Sequence, residues 1–356
     1  RTDARPRSTP AIEANLLFIS IDTLRADHLG CYGYDRATSP NIDAFAADSH
    51  RFAHAYTVMP STLPSHTAMM TSRYPWEVGV QQNGCKIAKA ADMLAERLAR
   101  RGFATRAVVS AAPLHSETRF DQGFAEFYEG AWRAETTRGH AGDLLRQVAG
   151  ERFFLFVHFF DPHTPYEAPP EYADMFGAPH EPQPPSKYQM TREMCAAGID
   201  AYDAEIRYTD AMVGDLLRDL DELGLRDRTI VVLVSDHGET LDESFERANY
   251  AFFHGQTLYR RELHIPMILS APAAVLDARP AVHELDVSTL DLLPTLLELL
   301  GAPPEGVIRG RSLVPLMRGE SMPARDVFSA LRTACGGDVF RGGAGSVVSE
   351  RWHWIC

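Results

Sequence analysis

The stretch Asn15–Asp22, NLLFISID, is a short apolar run that ends in an acid, and it decides the fold class. Two other stretches repeat this pattern: Phe153–Asp161, FFLFVHFFD, and Thr229–Asp236, TIVVLVSD. Continuous apolar runs of this length are typical of strands buried on both faces, as in a parallel sheet covered by helices. The sequence therefore predicts three buried strands, each followed by an aspartate.

Helical patterns lie between these strands. Lys89–Phe103 and Tyr202–Leu225 carry apolar residues spaced by three and four, and each has a glycine near its end. Alternating strands and helices indicate a doubly wound α/β fold, with a mostly parallel sheet sandwiched by helices. Ligands of such folds bind at the carboxyl ends of the strands, where the three aspartates would lie.

Composition limits the partners of the chain. Its 356 residues, 45% of them hydrophobic, suffice for one large α/β domain or for two smaller ones. The net charge is −13, and no cluster of basic residues favours a nucleic acid or an anionic membrane surface as partner. No apolar run approaches the ~20 residues of a membrane span. A small anionic substrate would depend on metal, histidine or helix ends for its binding.

The remaining features are less specific. Residues 1–14 predict a disordered lead-in, and the proline-rich segment 177–186 predicts a surface excursion. Five scattered cysteines without a CxxC pair indicate neither a disulfide framework nor a cysteine zinc site. The chain begins at Arg1, so a targeting segment upstream is compatible with it. The localisation and the oligomeric state stay open, with an exported or periplasmic protein as one interpretation.

Asp236 and His237 leave their strand together, within the sequence SDHGE. An acid and an imidazole at adjacent positions can reach one metal ion, and Gly238 permits a tight turn. A single aspartate at a strand end, such as Asp22 or Asp161, can also simply cap the next helix. Three aspartates at one sheet edge favour a site over three separate caps.

The stretch Met59–Pro75, MPSTLPSHTAMMTSRYP, places hydroxyl residues ahead of a predicted helix. Pro64 suits the first turn of a helix, so the oxygen of Thr62 would lie at the positive end of the helix dipole. Open N–H groups at this end would favour an alkoxide and a transferred anion. The alternative interpretation is that Ser61 and Thr62 only cap the helix.

Seven stretches carry a resemblance that covers Asn15 to about Met317. They are NLLFISIDTLRADHLGCYGY, SPNIDAFAADSHRFAHAY, TLPSHTAMMTSRYP, HFFDPHTPY, VVLVSDHGE, FFHGQTLYRRELHIPMIL and LDLLPTLLELLGAPPEGVIRGRSLVPLM. In this order and spacing they resemble the sulfatase family, within the alkaline-phosphatase superfamily. The resemblance implies a sulfatase-like catalytic domain over residues 15–340. It also implies that residues 341–356 begin a small C-terminal subdomain, which we expect to be incomplete.

The resemblance assigns the nucleophile. In TLPSHTAMMTSRYP, Thr62 falls on the cysteine or serine that the family uses. Pro64 and Ser65 match the proline and serine of the family motif, and His66 falls on its arginine. We therefore expect Thr62 and His66 to be catalytic residues.

The resemblance also implies a metal site. The family's ligands carry over to Asp22, Asp236 and His237, and Thr62 would touch the metal as well. Sulfatases usually show a second acid where this chain has Thr23, and often an asparagine where it has His237. Because imidazole suits manganese or zinc better than calcium, we expect one divalent ion, manganese or zinc before calcium.

Two further histidines would contact the anion. His163, in DPHTPY, matches the family histidine that touches the transferred group, and His254 falls where sulfatases usually carry a lysine. A histidine at this position could donate a hydrogen bond, act as general acid to the leaving oxygen, or bind a second metal ion. For both, the alternative is a histidine that only serves its loop.

Thr62 changes the expected chemistry. Sulfatases oxidise their cysteine or serine to formylglycine, whereas a threonine could yield only a ketone, so no formylglycine is expected. Relatives in the superfamily use serine or threonine directly to take a phosphoryl group. We therefore expect a metal-dependent hydrolase or transferase of a phosphate, phosphodiester or phosphonate ester. The rivals are a sulfuric ester hydrolase acting without formylglycine and a catalytically silent module that binds an anion.

Overall fold

The structure is a computed structural model that describes residues 14–177, 191–248, 250–331, 344–349 and 352–356. Residues 1–13 of the expected lead-in and residues 178–186 of the expected surface excursion lie outside this range. Residues 341–343, 350 and 351 of the expected C-terminal subdomain lie outside it as well.

Strands and helices alternate through most of the described residues. The strands are β1 (Asn15–Ile21), β2 (His50–Phe52), β3 (Ala55–Tyr56), β4 (Ala104–Val109), β5 (Glu126–Glu129), β6 (Phe153–Phe159), β7 (Thr229–Ser235), β8 (His264–Ile265), β9 (Met267–Ser270), β10 (Val282–His283), β11 (Val287–Ser288), β12 (Val327–Leu331), β13 (Ala344–Ser349) and β14 (Trp352–Ile355). The α-helices are α1 (Pro40–Ala47), α2 (Thr62–Thr71), α3 (Leu94–Ala99), α4 (Ala134–Val148), α5 (Pro170–Ala173), α6 (Arg192–Glu222), α7 (Phe245–Ala248), α8 (Arg260–Leu263), α9 (Leu292–Leu299) and α10 (Val314–Met317).

The central sheet has eight strands in the order β10-β2-β9-β7-β1-β6-β4-β5. Strand β1 runs parallel to β6 and β7, and β4 runs parallel to β5 and β6. Strand β9 runs antiparallel to β7 and to β2, so the sheet is mixed but mostly parallel. The α/β fold expected from the sequence is confirmed.

The three apolar runs form β1, β6 and β7, whose residues are all buried. Side chains of alternate residues project from opposite faces of a sheet. In β1, Leu16 and Phe18 face a first core that includes residues of α2, α3 and α9. Leu17 and Ile19 face a second core that includes residues of α4 and α6. The sheet is therefore sandwiched by helices.

The two predicted helices exist with different limits. The pattern at Lys89–Phe103 forms helix only at α3, because Asp92 has a left-handed φ of 51° and the helix begins two residues after it. Gly102, with a φ of 79°, ends the pattern as expected. The pattern at Tyr202–Leu225 belongs to the longer helix α6, which begins at Arg192.

Smaller features complete the description. A sheet of three antiparallel strands, β12-β13-β14, contains the described part of the expected C-terminal subdomain. Cys85 is disulfide-bonded, which the cysteine spacing did not indicate, whereas Cys31, Cys195 and Cys356 are free thiols. None of the helices in the described part of the chain combines the length and apolar character needed to cross a bilayer.

Candidate active site

The strand register brings two aspartates together at the carboxyl edge of the sheet. Ile21, the last residue of β1, pairs with Phe159 of β6 and with Ser235 of β7. Asp22 and Asp236 follow directly after paired residues, and both project toward the first core. The approach of these two acids, expected from the sequence, is thus a consequence of parallel pairing.

Asp22, Asp236 and His237 form a buried cluster. All three side chains are 0% exposed, and each offers a ligand atom within 4.8 Å of the others. His237 Nε2 lies 3.4 Å from Asp236 Oδ2 and 3.8 Å from Asp22 Oδ1. The three ligands that the resemblance implied therefore converge on one point.

The hydrogen bonds of this cluster leave its converging atoms open. Asp236 Oδ1 accepts the backbone N–H groups of Thr23 and His237, at 3.2 and 2.8 Å. The Nδ1–H of His237 donates to the Gly238 carbonyl at 3.0 Å, so its Nε2 carries a lone pair. Asp236 Oδ2, His237 Nε2 and both oxygens of Asp22 have no hydrogen-bond partner among the described residues. Buried, unpaired oxygen and nitrogen acceptors fit a divalent cation.

The electrostatics of the cluster also favour a cation. Burial, followed by the nearby charge of Asp22, raises the pKa of Asp236 well above its usual value. Burial lowers the pKa of His237 to about 4, so its imidazole is neutral at neutral pH. Two buried carboxyl groups beside a neutral imidazole repel each other when both are ionised, and a bound cation would relieve this repulsion.

Thr62 is the first residue of α2, and its side chain is buried. Ser61 occupies the N-cap position, but its side chain makes no capping hydrogen bond. The backbone N–H of Leu63 donates to Asn83 Oδ1 at 2.9 Å, and Pro64 has no N–H. The helix end therefore offers fewer open N–H donors than the sequence suggested, and its dipole is the main remaining contribution.

His66, in α2, lies between Thr62 and the acids of the cluster. Its Nδ1–H donates to the Thr62 carbonyl at 2.7 Å and lies 3.7 Å from Asp236 Oδ2. Its Nε2 therefore accepts the hydroxyl of Ser20 at 2.8 Å. Burial lowers the pKa of His66 to about 3, so the ring is neutral. Both ring nitrogens bind protein groups, which makes His66 a support for Thr62 more than a proton donor to a substrate.

His163 and His254 lie beside the cluster. Their ring centroids are 4.8 Å apart, and the His254 ring is 4.7 Å from that of His237. The Nδ1–H of His163 donates to the Thr164 carbonyl at 2.6 Å, so Nε2 is the ring nitrogen that remains for a ligand. His254 Nδ1 lies 3.2 Å from the buried carboxylate of Glu239. His254 therefore lies beside His237, and His163 lies beside His254.

His254 has the character of a proton donor. Burial acts to lower the pKa of His254, but the carboxylate of Glu239 outweighs this effect and raises it above the usual value. The ring therefore carries its proton at a higher pH than an ordinary histidine, and Nε2–H points away from Glu239. Such a group can donate to an anion or to a leaving oxygen.

Asp161 does not join the cluster, contrary to the idea of three converging acids. It has the same parity as Phe159 and Val157, which face the second core. Its Oδ1 accepts from Arg133 Nε at 3.1 Å, and Arg133 also reaches Glu205 Oε1 at 3.4 Å. Glu205 Oε1 accepts the backbone N–H of Glu167, in the segment that follows His163, at 2.6 Å. Asp161 thus belongs to a cluster that anchors this segment.

Glu205 makes stability depend on pH. Burial, followed by the charge of Asp161, raises the pKa of Glu205 from 4.5 to about 8. Between these two pKa values the folded protein holds a proton on Glu205 that the unfolded chain releases. The contribution of this proton to the free energy of unfolding is complete below the unfolded pKa of 4.5 and is lost as the pH rises through about 8. In urea unfolding, Glu205→Gln should lose less stability than the parent between about pH 5 and about pH 9. The control is Glu151→Gln, at an exposed position, which should follow the parent. Parallel curves of unfolding free energy against pH for the parent and Glu205→Gln would contradict this prediction.

Sequence reasoning left three site residues unassigned. Glu239 stands in the quoted SDHGE, two residues after His237, and its carboxylate lies 3.2 Å from His254 Nδ1. His158 stands inside an apolar strand, where a polar residue signals a buried contact. Ser65 donates its hydroxyl to the Asp236 carbonyl at 2.7 Å. The family motif includes this serine, but it does not indicate that Asp236 is its hydrogen-bond partner.

Comparisons with known proteins identify the family of this chain. The family model described as Sulfatase matches residues 14–302. The ulvan-active sulfatase of Formosa agariphila is 24% identical over 85% of this chain and 65% of its own length. The choline-sulfatase of Rhizobium meliloti is 27% identical over 86% of this chain and 72% of its own length. This chain therefore spans about two thirds to three quarters of these relatives.

A solved structure shows the same fold. The phosphonate monoester hydrolase from Silicibacter pomeroyi superposes with a TM-score of 0.79 at 21% identity, covering 96% of this chain and 86% of its own. The family match extends over most of the chain and includes each element that contributes to the cluster. The chain therefore belongs to the sulfatase family, within the alkaline-phosphatase superfamily.

Proposed function

We propose that this protein hydrolyses or transfers a phosphate, phosphodiester or phosphonate ester, with Thr62 as the nucleophile. The observation that carries the proposal is the position of Thr62 at the start of α2, where His66, which donates to the Thr62 carbonyl, lies 3.7 Å from Asp236 Oδ2 of the open acceptor cluster. A threonine cannot become formylglycine, so in this reaction the Thr62 hydroxyl itself would attack. The fold shared with a phosphonate monoester hydrolase is compatible with this class of substrate.

The metal site would be formed by Asp22, Asp236 and His237, together with the oxygen of Thr62. A divalent ion held there would lower the pKa of the Thr62 hydroxyl and offset negative charge on the transferred group. The open acceptors of the three residues support this assignment. One imidazole among oxygen ligands favours manganese or zinc over calcium.

The residues of the chain supply the other parts of the reaction. Thr62 would release its hydroxyl proton to water, and its Oγ1 forms a bond to phosphorus while the bond from phosphorus to the leaving oxygen breaks. His254, protonated and backed by Glu239, would donate a proton to the leaving oxygen, and His163 would contact the transferred group. Water or another alcohol would then take the phosphoryl group and restore the Thr62 hydroxyl.

A substrate panel tests the function. The purified protein, loaded with manganese or zinc, is assayed with an aryl phosphate, a phosphodiester, a phosphonate monoester and an aryl sulfate. We expect a phosphorus ester to have the highest kcat/KM. A preference for the sulfate would favour the rival that the names of the curated relatives support, a sulfuric ester hydrolase acting without formylglycine. Anion binding without turnover would favour the silent module.

The number of bound ions is a separate prediction. A second ion would need ligands beyond the first cluster, and Asp161 would be one of them beside His163 and His254. Because Asp161 accepts from Arg133, we expect one manganese or zinc ion per chain. Elemental analysis of protein saturated with each metal checks this. Two ions per chain, or tighter binding of calcium, would contradict it.

A further inference from the structure

His158 is a buried histidine to which neither the sequence nor the proposed reaction assigns a role. It lies in β6 with a side chain that is 0% exposed. Neither of its ring nitrogens has a hydrogen-bond partner among the described residues. Because a buried polar atom without a partner is costly, such a group in a strand core calls for a nearby acceptor or donor.

The strand register brings His158 to Asp22. His158 pairs with Ser20 in the parallel ladder, and Asp22 follows Ser20 by two residues on the same face of the sheet. His158 Nε2 lies 3.5 Å from Asp22 Oδ2. This distance is slightly longer than a good hydrogen bond, and a small rotation of either side chain would close it.

The two oxygens of Asp22 face different partners. Oδ1 lies 3.8 Å from His237 Nε2, which is itself 3.4 Å from Asp236 Oδ2. Oδ2 faces His158 instead. One oxygen of Asp22 is therefore directed toward the proposed metal position, and the other toward an N–H donor behind it.

We propose that His158 is a positioning residue for Asp22, whose Nε2–H donates to Oδ2 and so turns Oδ1 toward Asp236 and His237. The inference rests on the proposed metal site. A donor behind a carboxylate ligand fixes its orientation before the ion arrives, so the site loses less freedom on binding. His158 thereby sets the affinity for the metal without touching the substrate.

A second arrangement of the same residues does not fit. His66, His158 and Asp236 also offer ligand atoms within 4.8 Å of one another. A ligand nitrogen of His66 would need a lone pair directed at the ion. Its Nδ1–H donates to the Thr62 carbonyl, and its Nε2 accepts from Ser20. His66 therefore has no free lone pair for a second ion.

Metal titration of His158→Phe tests the inference. Phenylalanine keeps a ring in the aromatic surroundings of β6 but removes the N–H donor. We expect the apparent Kd for manganese and zinc, measured by competition with a fluorescent chelator, to rise roughly 10- to 100-fold. At saturating metal, kcat should return to near the parent value. His158→Gln, whose amide can donate from a similar position, should keep most of the affinity.

Two controls separate this role from a general loss of structure. His50→Phe removes another buried imidazole, which bonds His283 at 3.0 Å away from the cluster, and should leave the metal Kd unchanged. In a double-mutant cycle with Asp22→Asn, the effect of His158→Phe should largely disappear, because the two residues act through one hydrogen bond.

The outcomes distinguish this inference from the proposed function. If the parent binds a metal ion and His158→Phe binds it equally well, His158 is not a positioning residue, while the metal site stands. If the parent binds two ions and the variant one, His158 is a ligand and the inference is wrong. If the parent binds no divalent ion, the proposed site fails together with the inference.

Discussion

Thr62→Ala is expected to lower kcat by about 10³-fold or more, because a lost nucleophile removes most of the chemical step. Binding of substrate and metal should change little, since the proposed metal ligands Asp22, Asp236 and His237 remain. Thr62→Ser should retain activity, because the oxygen survives and only a methyl group is lost. Steady-state kinetics of the three proteins at saturating metal make the comparison.

Thr67→Ala is a matched control for this prediction. Thr67 lies in the same helix and is equally buried, but its hydroxyl donates to the Leu63 carbonyl within the helix. Its loss should reduce kcat only slightly. If Thr62→Ala turned over the best substrate at the parent rate, the nucleophile assignment and the phosphoryl-transfer mechanism would both be wrong.

Asp236→Ala is expected to abolish metal binding and turnover together. The substitution removes one of the three proposed ligands, so only Asp22 and His237 remain in the cluster. If the ion is lost with this ligand, the buried carboxylate of Asp22 also loses the positive charge that would balance it. Elemental analysis and activity of the same preparation check both effects.

Asp161→Asn is a matched control for this second prediction. Asp161 stands near the same sheet edge, but it accepts from Arg133 and does not face the cluster. The variant should keep its metal, even if the neighbouring segment with His163 is disturbed. An Asp236→Ala protein with full activity, or an Asp161→Asn protein without metal, would remove the site assignment.

The strand pattern made much of the fold predictable. Three apolar runs predicted β1, β6 and β7, and their parallel pairing explains why Asp22 and Asp236 meet. Strand parity also held the information that Asp161 would face the other core, since it shares its parity with Phe159. The prediction of three converging acids was wrong for Asp161 because it considered only where the strands end, and not which face of the sheet each side chain projects from.

Other features could not be read from the sequence, because they depend on contacts between distant segments. Arg133 and Glu205 meet Asp161 only once α4 and α6 pack on the sheet. The hydrogen bond that His66 Nε2 accepts comes from Ser20, 46 residues away. The start of α3 depends on the left-handed backbone of Asp92, which no periodicity signals.

Covalent trapping shows whether Thr62 takes the phosphoryl group. The metal-loaded protein is mixed with a slowly discharged phosphorus ester, quenched in acid and measured by intact mass, and the modified peptide is then sequenced by mass spectrometry. We predict one added phosphoryl group, located on Thr62, and none on the Thr62→Ala variant. An unmodified parent protein during steady turnover of the same ester, or a phosphoryl group on another residue, would mean that Thr62 is not the nucleophile.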